Sequence, residues 1–436
     1  MTENWITTLP EGWRLKQIRH IFRIHNGATP KSGESEYWNG DINWITPEDL
    51  GNNNGKEIVE SRRKITAEGY TNSGVSLAPA GSIAVSIRAP IGHLAKTTIP
   101  SCVNQGCRLL ELKEGNSDYW YYASTAVKPI LVSRGQGTTF MELPRQSLAS
   151  VKLPVPPIRT QISIAKFLDF KTAQIDALIC KQKALLDKLA EKRTVLISHA
   201  VTKGLDPSVS MKDSGEELLG KVPKHWTITR LRFVTTCIEQ GWSPQCNNQP
   251  ASEEQWGVLK VGCVNGESFE PKENKSLPDD LEPKLQYEIQ PGDILVSRAN
   301  TKELLGGAAL VNQVRSKLLL CDKLYRIKSN SLIEPGYLVR FMRSTIARFH
   351  YERNATGTSG SMQNIGQDTL KDLPLPLPPK DEQVTILKYL EKKFVEISLT
   401  EEKITSLIDK LTEYRASLIN NAITGKIDVH NLVNEG

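Results

Sequence analysis

The sequence predicts an α+β chain: two globular modules separated by two long antiparallel helices that form a coiled coil, with pseudo-two-fold symmetry inside one polypeptide. Three observations carry this: an internal repeat, a pair of proline-rich stops, and two stretches of helical period that lack proline and glycine. The 436 residues suit two to four domains at roughly 150 residues each. With 39% hydrophobic and 24% charged residues, the composition is that of a folded soluble chain rather than a disordered or fibrous one.

The repeat opens each half. LPEGWRLKQIRHIF (residues 9–22) returns as VPKHWTITRLRFVT (residues 222–235), with Trp13 over Trp226 at an offset of 213. Near the ends of the halves, VKLPVPPIRTQ (residues 151–161) returns as LPLPLPPKDEQ (residues 373–383), and HAVTKGLD as NAITGKID, at an offset of 222. The second half has therefore gained residues in its middle, between fixed ends. Within each module, SIAVSIRAPIG (residues 82–92) and GDILVSRANT (residues 292–301) are apolar runs after turn signals, and CRLLELK and KLYRIK alternate with period two, so these read as strands. Clusters such as GNNNG (residues 51–55) and RNATGTSGS (residues 353–361) read as loops. Trp13, Trp44 and Trp226 have apolar neighbours close in sequence and are expected in cores. The proline-rich segments read as rigid joints that neither extend a ladder nor enter a helix.

A helix is predicted after each joint, over residues 159–203 and 381–424, each roughly 65 to 70 Å long at about 1.5 Å per residue. The expected seam takes Leu168, Ile175, Leu178, Leu185, Leu189 and Leu196 from the first helix. The second contributes Leu390, Ile397, Ile404, Ile408, Leu411 and Leu418, with Phe394 and Leu407 alongside, and Gln182 occupies the place that the repeat assigns to Ile404. The helices carry net charges of +5 and −2, which favours an intramolecular pair. The resulting partition is a first module at 1–153, a joint and central helix at 154–204, a linker and second module at 205–375, and a joint, helix and tail at 376–436.

Catalytic patterns are missing. There is no GxxxxGK[ST], GxGxxG, HExxH or GxSxG, and the lone HxE of His350 and Glu352 has no PCxxC to complete a zinc site. The seven cysteines lack CxxC spacing and read as reduced thiols, so no metal site is expected. The Glu282 and Lys284 triplet, reminiscent of a nuclease centre, reads as a solvated turn. No apolar run is long enough for a membrane span and no secretory signal is visible, which makes the cytoplasm the expected location. The net charge of +6 leaves only +3 outside the two helices, so any basic footprint must be local.

Four segments, by their order along the chain and their duplication around two long helices, resemble the specificity subunit of type I restriction-modification enzymes. They are NGATPKSGESEYWNGDINWITPEDL (residues 26–50), GDILVSRAN (residues 292–300), the LPxPP joints ending at Gln161 and Gln383, and GLDPSVSMKDSGEELLGKVPKHW (residues 204–226). The resemblance extends over essentially the whole chain. It implies two target recognition domains, each reading one half of a split double-stranded DNA site, joined by helices that fix the spacer and dock two methyltransferase subunits. It also implies that this chain is non-catalytic and holds no cofactor: S-adenosylmethionine belongs to the adenine-N6 methyltransferase partner, and ATP and magnesium to the restriction (motor-nuclease) partner.

For base and phosphate contacts, polar loops are the candidates. In the first module these are Thr29, Lys31, Ser32, Arg88, Arg134, Gln136, Thr138 and Thr139; in the second, Ser243, Gln245, Arg298, Asn300, Thr301, Arg353, Thr356, Ser359 and Gln363. Arg88 and Arg298 stand out, as each follows an apolar strand in what reads as an equivalent place. The two sets of loops differ, so the two half-sites are expected to differ, with centres about 34 to 36 Å apart if both domains dock on one face of B-DNA. The competing readings are a DNA methyltransferase or nuclease acting alone, and a coiled-coil scaffold whose heads bind protein.

Overall fold

The repeat is realised twice over in the computed structural model, which describes residues 5–6, 8–137, 141–357 and 362–429. The chain divides into a first unit, residues 1–182 with 405–436, and a second unit, residues 183–404. Each unit holds a larger and a smaller sheet. In the first, the strands Phe22–Asn26, Cys107–Leu112, Ile83–Ser86, Leu94–Thr97 and Glu57–Ile58 lie side by side in that order. The second unit repeats the first four places with Thr235–Gln240, Leu324–Ser329, Ile294–Ser297 and Ala308–Leu310.

The smaller sheets match down to strand direction. Trp38–Ile45 runs antiparallel to Lys64–Ile65 and parallel to Ser101–Val103, while Gly257–Leu259 runs antiparallel to Asn274–Ser276 and parallel to Leu318–Leu319. Trp44 and Trp226 are buried and Trp13 is half-buried against the first unit's core.

The proline joints correct one expectation. Lys152–Val155 pairs with Arg14–Gln17 and Pro374–Leu377 with Thr227–Arg230, so proline does take part in a ladder. Each ladder has only two strands, and a proline on an edge can turn its missing donor away from the partner. The joint is then clamped from two sides. Tyr119 and Tyr337 donate their hydroxyls to the carbonyls of Pro154 (2.8 Å) and Pro376 (3.2 Å). The glutamines of the LPxPPxxxQ motif do the rest: Gln161 donates to the Pro156 carbonyl at 2.9 Å and accepts the Asn116 N–H at 3.1 Å. Gln383 donates to the carbonyls of Pro378 (2.9 Å) and Leu332 (3.1 Å) and accepts the Glu334 N–H at 2.8 Å.

The long helices are Ile158–Lys203 and Lys380–Ile423. Each ends beside a glycine in the left-handed region, Gly204 (φ 75°) and Gly425 (φ 73°), a conformation that costs glycine little. Gly204 lies against Trp226 of the second unit, and Gly425 against Pro10 and Trp13 of the first. The helices pair antiparallel. In the first unit Arg415 holds Asp176 at 2.8 Å, and in the second Arg193 donates to Ser398 at 2.7 Å, so the partner position falls as the first helix advances.

Burial fixes the seam. Leu168, Ile175, Leu390, Ile397, Ile404 and Leu418 are buried, and Leu189, Leu196, Ile408 and Leu411 are half-buried. Leu178 and Leu185, expected on the seam, are 47% and 42% exposed, and Leu407 is 42% exposed. The half-buried places belong to Ile179, Leu186 and Ile408, so the rows step by four residues from Ile175, Gln182 and Ile404 rather than by three. Leu178→Ala should therefore change stability by less than about 0.5 kcal/mol, whereas Leu168→Ala should cost about 2 to 5 kcal/mol; urea denaturation of the two variants checks the phase.

Candidate nucleic-acid interface

Both units bring their strand exits and reverse turns together at one end of the larger sheet. In the first unit the crossing between sheets starts at Gly27, where a Cβ would lie 1.7 Å from the Asn104 carbonyl oxygen, so only glycine lets the two backbones meet. Beyond it the exposed Thr29 donates its hydroxyl to the Gln105 side chain. Lys31 and Ser32 are also exposed, and the Lys31 carbonyl accepts the Trp38 indole N–H at 3.3 Å. Gly106, in the turn after Asn104, accepts the backbone N–H groups of Ile87 (2.8 Å) and Arg88 (3.4 Å). Arg88 in turn bridges to Glu142, which closes a hairpin with Gln136 through paired backbone bonds of 2.8 and 2.9 Å.

Electrostatics set this end apart. Arg88 Nε lies 2.9 Å from Glu142 Oε2, and Arg108 and Arg145 share the same neighbourhood. Burial holds the Arg108 guanidinium below the ordinary arginine value; Glu142 opposes this, and Arg145 and Arg88 add to it. Its Nε is buried with no hydrogen-bond partner among the described residues. Three guanidinium groups around one carboxylate leave an excess of positive charge suited to a polyanion.

The second unit builds the same end with other side chains. Gly241 makes the equivalent crossing, its Cβ position 2.3 Å from the Leu320 carbonyl oxygen, and the exposed Ser243 and Gln245 follow it. Arg298 bonds through its backbone to Lys323 and Ile365, donates from Nη1 to the Asp322 carbonyl at 3.3 Å, and lies 5.8 Å over the Tyr325 ring. Thr356 and Asn364 close the hairpin with paired backbone bonds of 2.8 and 2.9 Å. Gln363, paired with Asn300 in the neighbouring ladder, keeps its buried Oε1 without a partner among the described residues.

The register corrects the equivalence of Arg88 and Arg298. Ser86 pairs with Cys107 as Ser297 pairs with Leu324, and Val85 faces Arg108 as Val296 faces Tyr325. Ile87 therefore corresponds to Arg298, and Arg88 to Ala299. A one-residue shift sends successive side chains to opposite faces, so the two arginines do not occupy equivalent places: Arg88 is exposed and Arg298 half-buried, while Ala299, which holds the place of Arg88, is buried.

Other expected residues lie in internal bonds. Arg134 donates to the Ser147 carbonyl and the Ser150 hydroxyl, tying helix Lys128–Ser133 to helix Arg145–Ser150. Asn300 is only 8% exposed, with its amide on Asn265 at 3.0 Å, and the carbonyl of Thr301 starts a turn by accepting the Leu304 and Leu305 N–H groups. Arg353 is exposed with Glu217 at 3.5 Å. Thr138, Thr139 and Ser359 lie outside the described residues. Sequence reasoning missed Gln105, Arg108, Glu142, Arg145 and Asn364, whose only signal was polarity beside a strand or turn.

Among the described residues no group of three or more histidine, cysteine, aspartate or glutamate side chains is placed to hold a metal ion, and no helix is long and apolar enough to cross a membrane. The seven cysteines are unpaired, and burial pushes the thiols of Cys102 and Cys321 up to about 12.

Comparison with known proteins supplies the family. The type I restriction modification DNA specificity domain matches residues 10–186 and again 245–409. The EcoEI type I restriction enzyme specificity subunit of Escherichia coli is 32% identical over 212 residues, 48% of this chain and 35% of that protein. The MjaIX specificity subunit of Methanocaldococcus jannaschii is 33% identical over 270 residues, 60% of this chain and 59% of its own. The aligned segments thus span less than two thirds of either relative. The EcoKI specificity subunit of Escherichia coli aligns along 96% of this chain and 90% of its own, at 22% identity. A chain solved in work on complex assembly and conformational transition of the type I R-M system shares the fold, with a TM-score of 0.68 at 15% identity over 96% of this chain and 100% of that one. With two copies of the domain, one in each half of the repeat, the chain belongs to the family of type I restriction-modification specificity subunits.

Proposed function

We propose that this chain is the non-catalytic specificity subunit of a type I restriction-modification complex and reads an asymmetric, bipartite double-stranded DNA target, one unit per half-site. One observation carries the reading: two units with the same strand order and the same glycine crossing present unlike polar side chains at the same sheet end. A shared scaffold with divergent tips suits two different half-sequences, since phosphate contacts position a domain and base-edge contacts specify. The paired helices set the spacer.

Their outward apolar residues suit the docking of two methyltransferase subunits. Ile162, Phe170 and Tyr414 are exposed in the first unit, and Val195, Val395 and Leu399 in the second. Exposed apolar groups recurring along a helix suit a protein partner. In this assignment S-adenosylmethionine is held by the methyltransferase partner, and ATP and magnesium by the restriction partner. Neither of those cofactors is assigned to this chain.

Footprinting of the chain with its methyltransferase partner is expected to give two protected blocks of different sequence flanking unprotected central bases, with affinity falling linearly in log salt. A single continuous block would overturn the bipartite reading. Sequencing of adenine methylation in cells with and without the chain should show one interrupted motif appear and vanish with it.

A further inference from the structure

The corrected register sets one pair of positions against another. In the first unit the ladder between the exit of strand Ile83–Ser86 and the tip hairpin pairs Arg88 with Glu142; in the second, the corresponding ladder pairs Ala299 with Asn364. The scaffold is the same, with the hairpin glycine at φ 113° in one (Gly137) and 119° in the other (Gly357). What differs is chemistry. Arg88 is fixed through Nε alone, 2.9 Å from Glu142 Oε2, with side-chain exposures of 48% and 41%. Its two Nη groups have no hydrogen-bond partner among the described residues.

An arginine clamped at Nε holds its Nη pair as a planar fork directed away from the clamp. That fork matches guanine, which offers O6 and N7 as adjacent acceptors in the major groove; no other base edge offers two acceptors there. Asn364 can supply no such fork. Its side chain makes no hydrogen bond within the described residues, and an amide, one donor beside one acceptor, matches adenine N6 and N7 instead.

Resting on the proposed function, we infer that Arg88, held in place by Glu142, reads a guanine in the half-site of the first unit, and that the second unit reads an adenine through Asn364, which holds the register position of Glu142. Glu142 is a positioning residue in this scheme: it touches Arg88, and Arg88 touches the base. The nearby Arg108 and Arg145 supply positive charge that keeps the ion pair from neutralising this end of the unit.

The test is selection of bound sequences from random DNA by the full chain and its variants, with affinities measured across a salt series. The unmodified chain should enrich two blocks, one containing an invariant G·C pair. Arg88→Lys keeps the charge and loses the fork, so preference at that one position should fall by about 5- to 150-fold while the other block and the salt slope stay as they were. Glu142→Ala should weaken the same position, and Glu142→Gln, which can still accept from Nε, should restore it. Asn364→Ala should relax one position in the other block only. Arg88 is exposed and Glu142 half-exposed, and their pair lies at the surface, so the thermal transition should not move.

Three results overturn the inference: an enriched first block without a G·C pair, an Arg88→Lys variant with unchanged preference, or a uniform loss across all sequences in Arg88→Ala with a salt slope smaller by about one, which marks a phosphate contact. Failure of the unmodified chain to enrich any two-block sequence would instead sink the specificity reading itself, and this inference with it.

Discussion

Gln383→Ala is expected to destabilise the second unit by about 2 to 5 kcal/mol, among the largest losses available from a single polar side chain in this chain. The reason is the number of groups it strands. Gln383 is fully buried, and its amide satisfies the carbonyls of Pro378 and Leu332 and the N–H of Glu334 at once. Removing it leaves three backbone groups without that partner, one buried at Pro378 and two part-buried at Leu332 and Glu334, and a group left unsatisfied away from water costs about 1 to 3 kcal/mol. Relaxation returns part of this, which sets the lower bound. Gln161→Ala should cost less, since among the described residues Gln161 serves Pro156 and Asn116 alone.

Urea denaturation followed by hydrogen exchange in the second unit checks the ranking. Because the glutamine ties the joint to the first turn of helix Lys380–Ile423, loss of protection should appear there first. Equal stability of Gln383→Ala and the unmodified chain would mean that the motif glutamine is retained for something other than holding the joint.

The long helices were legible almost to the residue. Runs of 45 and 44 residues without proline or glycine, each introduced by a proline stop, predict helices at 159–203 and 381–424, and the structure has them at Ile158–Lys203 and Lys380–Ile423. The phase of their seam was not legible. Leu178 stands next to Ile179 and Leu185 next to Leu186, so the apolar pattern allows a step of three or four, and only packing selects four.

The sheet end was legible as loops but not as a set. Arg108 reaches it by pairing with Asn26, 82 positions away, and Glu142 by bridging to Arg88, 54 positions away. Such pairings have no local periodicity to reveal them. The similar strings VSIRAP and VSRANT also invite an alignment of the two arginines, which the hydrogen-bond register moves by one residue.

Gly27→Ala should be at least as damaging to the first unit, costing about 3 kcal/mol or more. The glycine is not needed for an unusual backbone angle here; it is needed because two backbones cross. An added Cβ would stand 1.7 Å from the Asn104 carbonyl oxygen and 2.8 Å from that of Val103. A flexible side chain could swing aside at small cost, but a carbonyl is fixed by its ladder: Val103 accepts the Ala28 N–H at 3.1 Å, and Asn104 donates to the Ile45 carbonyl at 2.9 Å. The strands must part, and overpacking that is relieved only by backbone movement belongs at the top of the usual range.

The functional consequence follows from what the crossing carries. Thr29 lies two residues past Gly27 and bonds Gln105, one residue past Asn104, so separating the crossing separates two loops of the candidate interface. DNA footprints of Gly27→Ala should lose the block read by the first unit and keep the other. Gly241→Ala should do the converse, through the Leu320 and Cys321 carbonyls at 2.3 and 2.5 Å. If either variant kept both blocks and its melting temperature, the crossing would have slack that these distances exclude, and the tip loops would not depend on it for their placement.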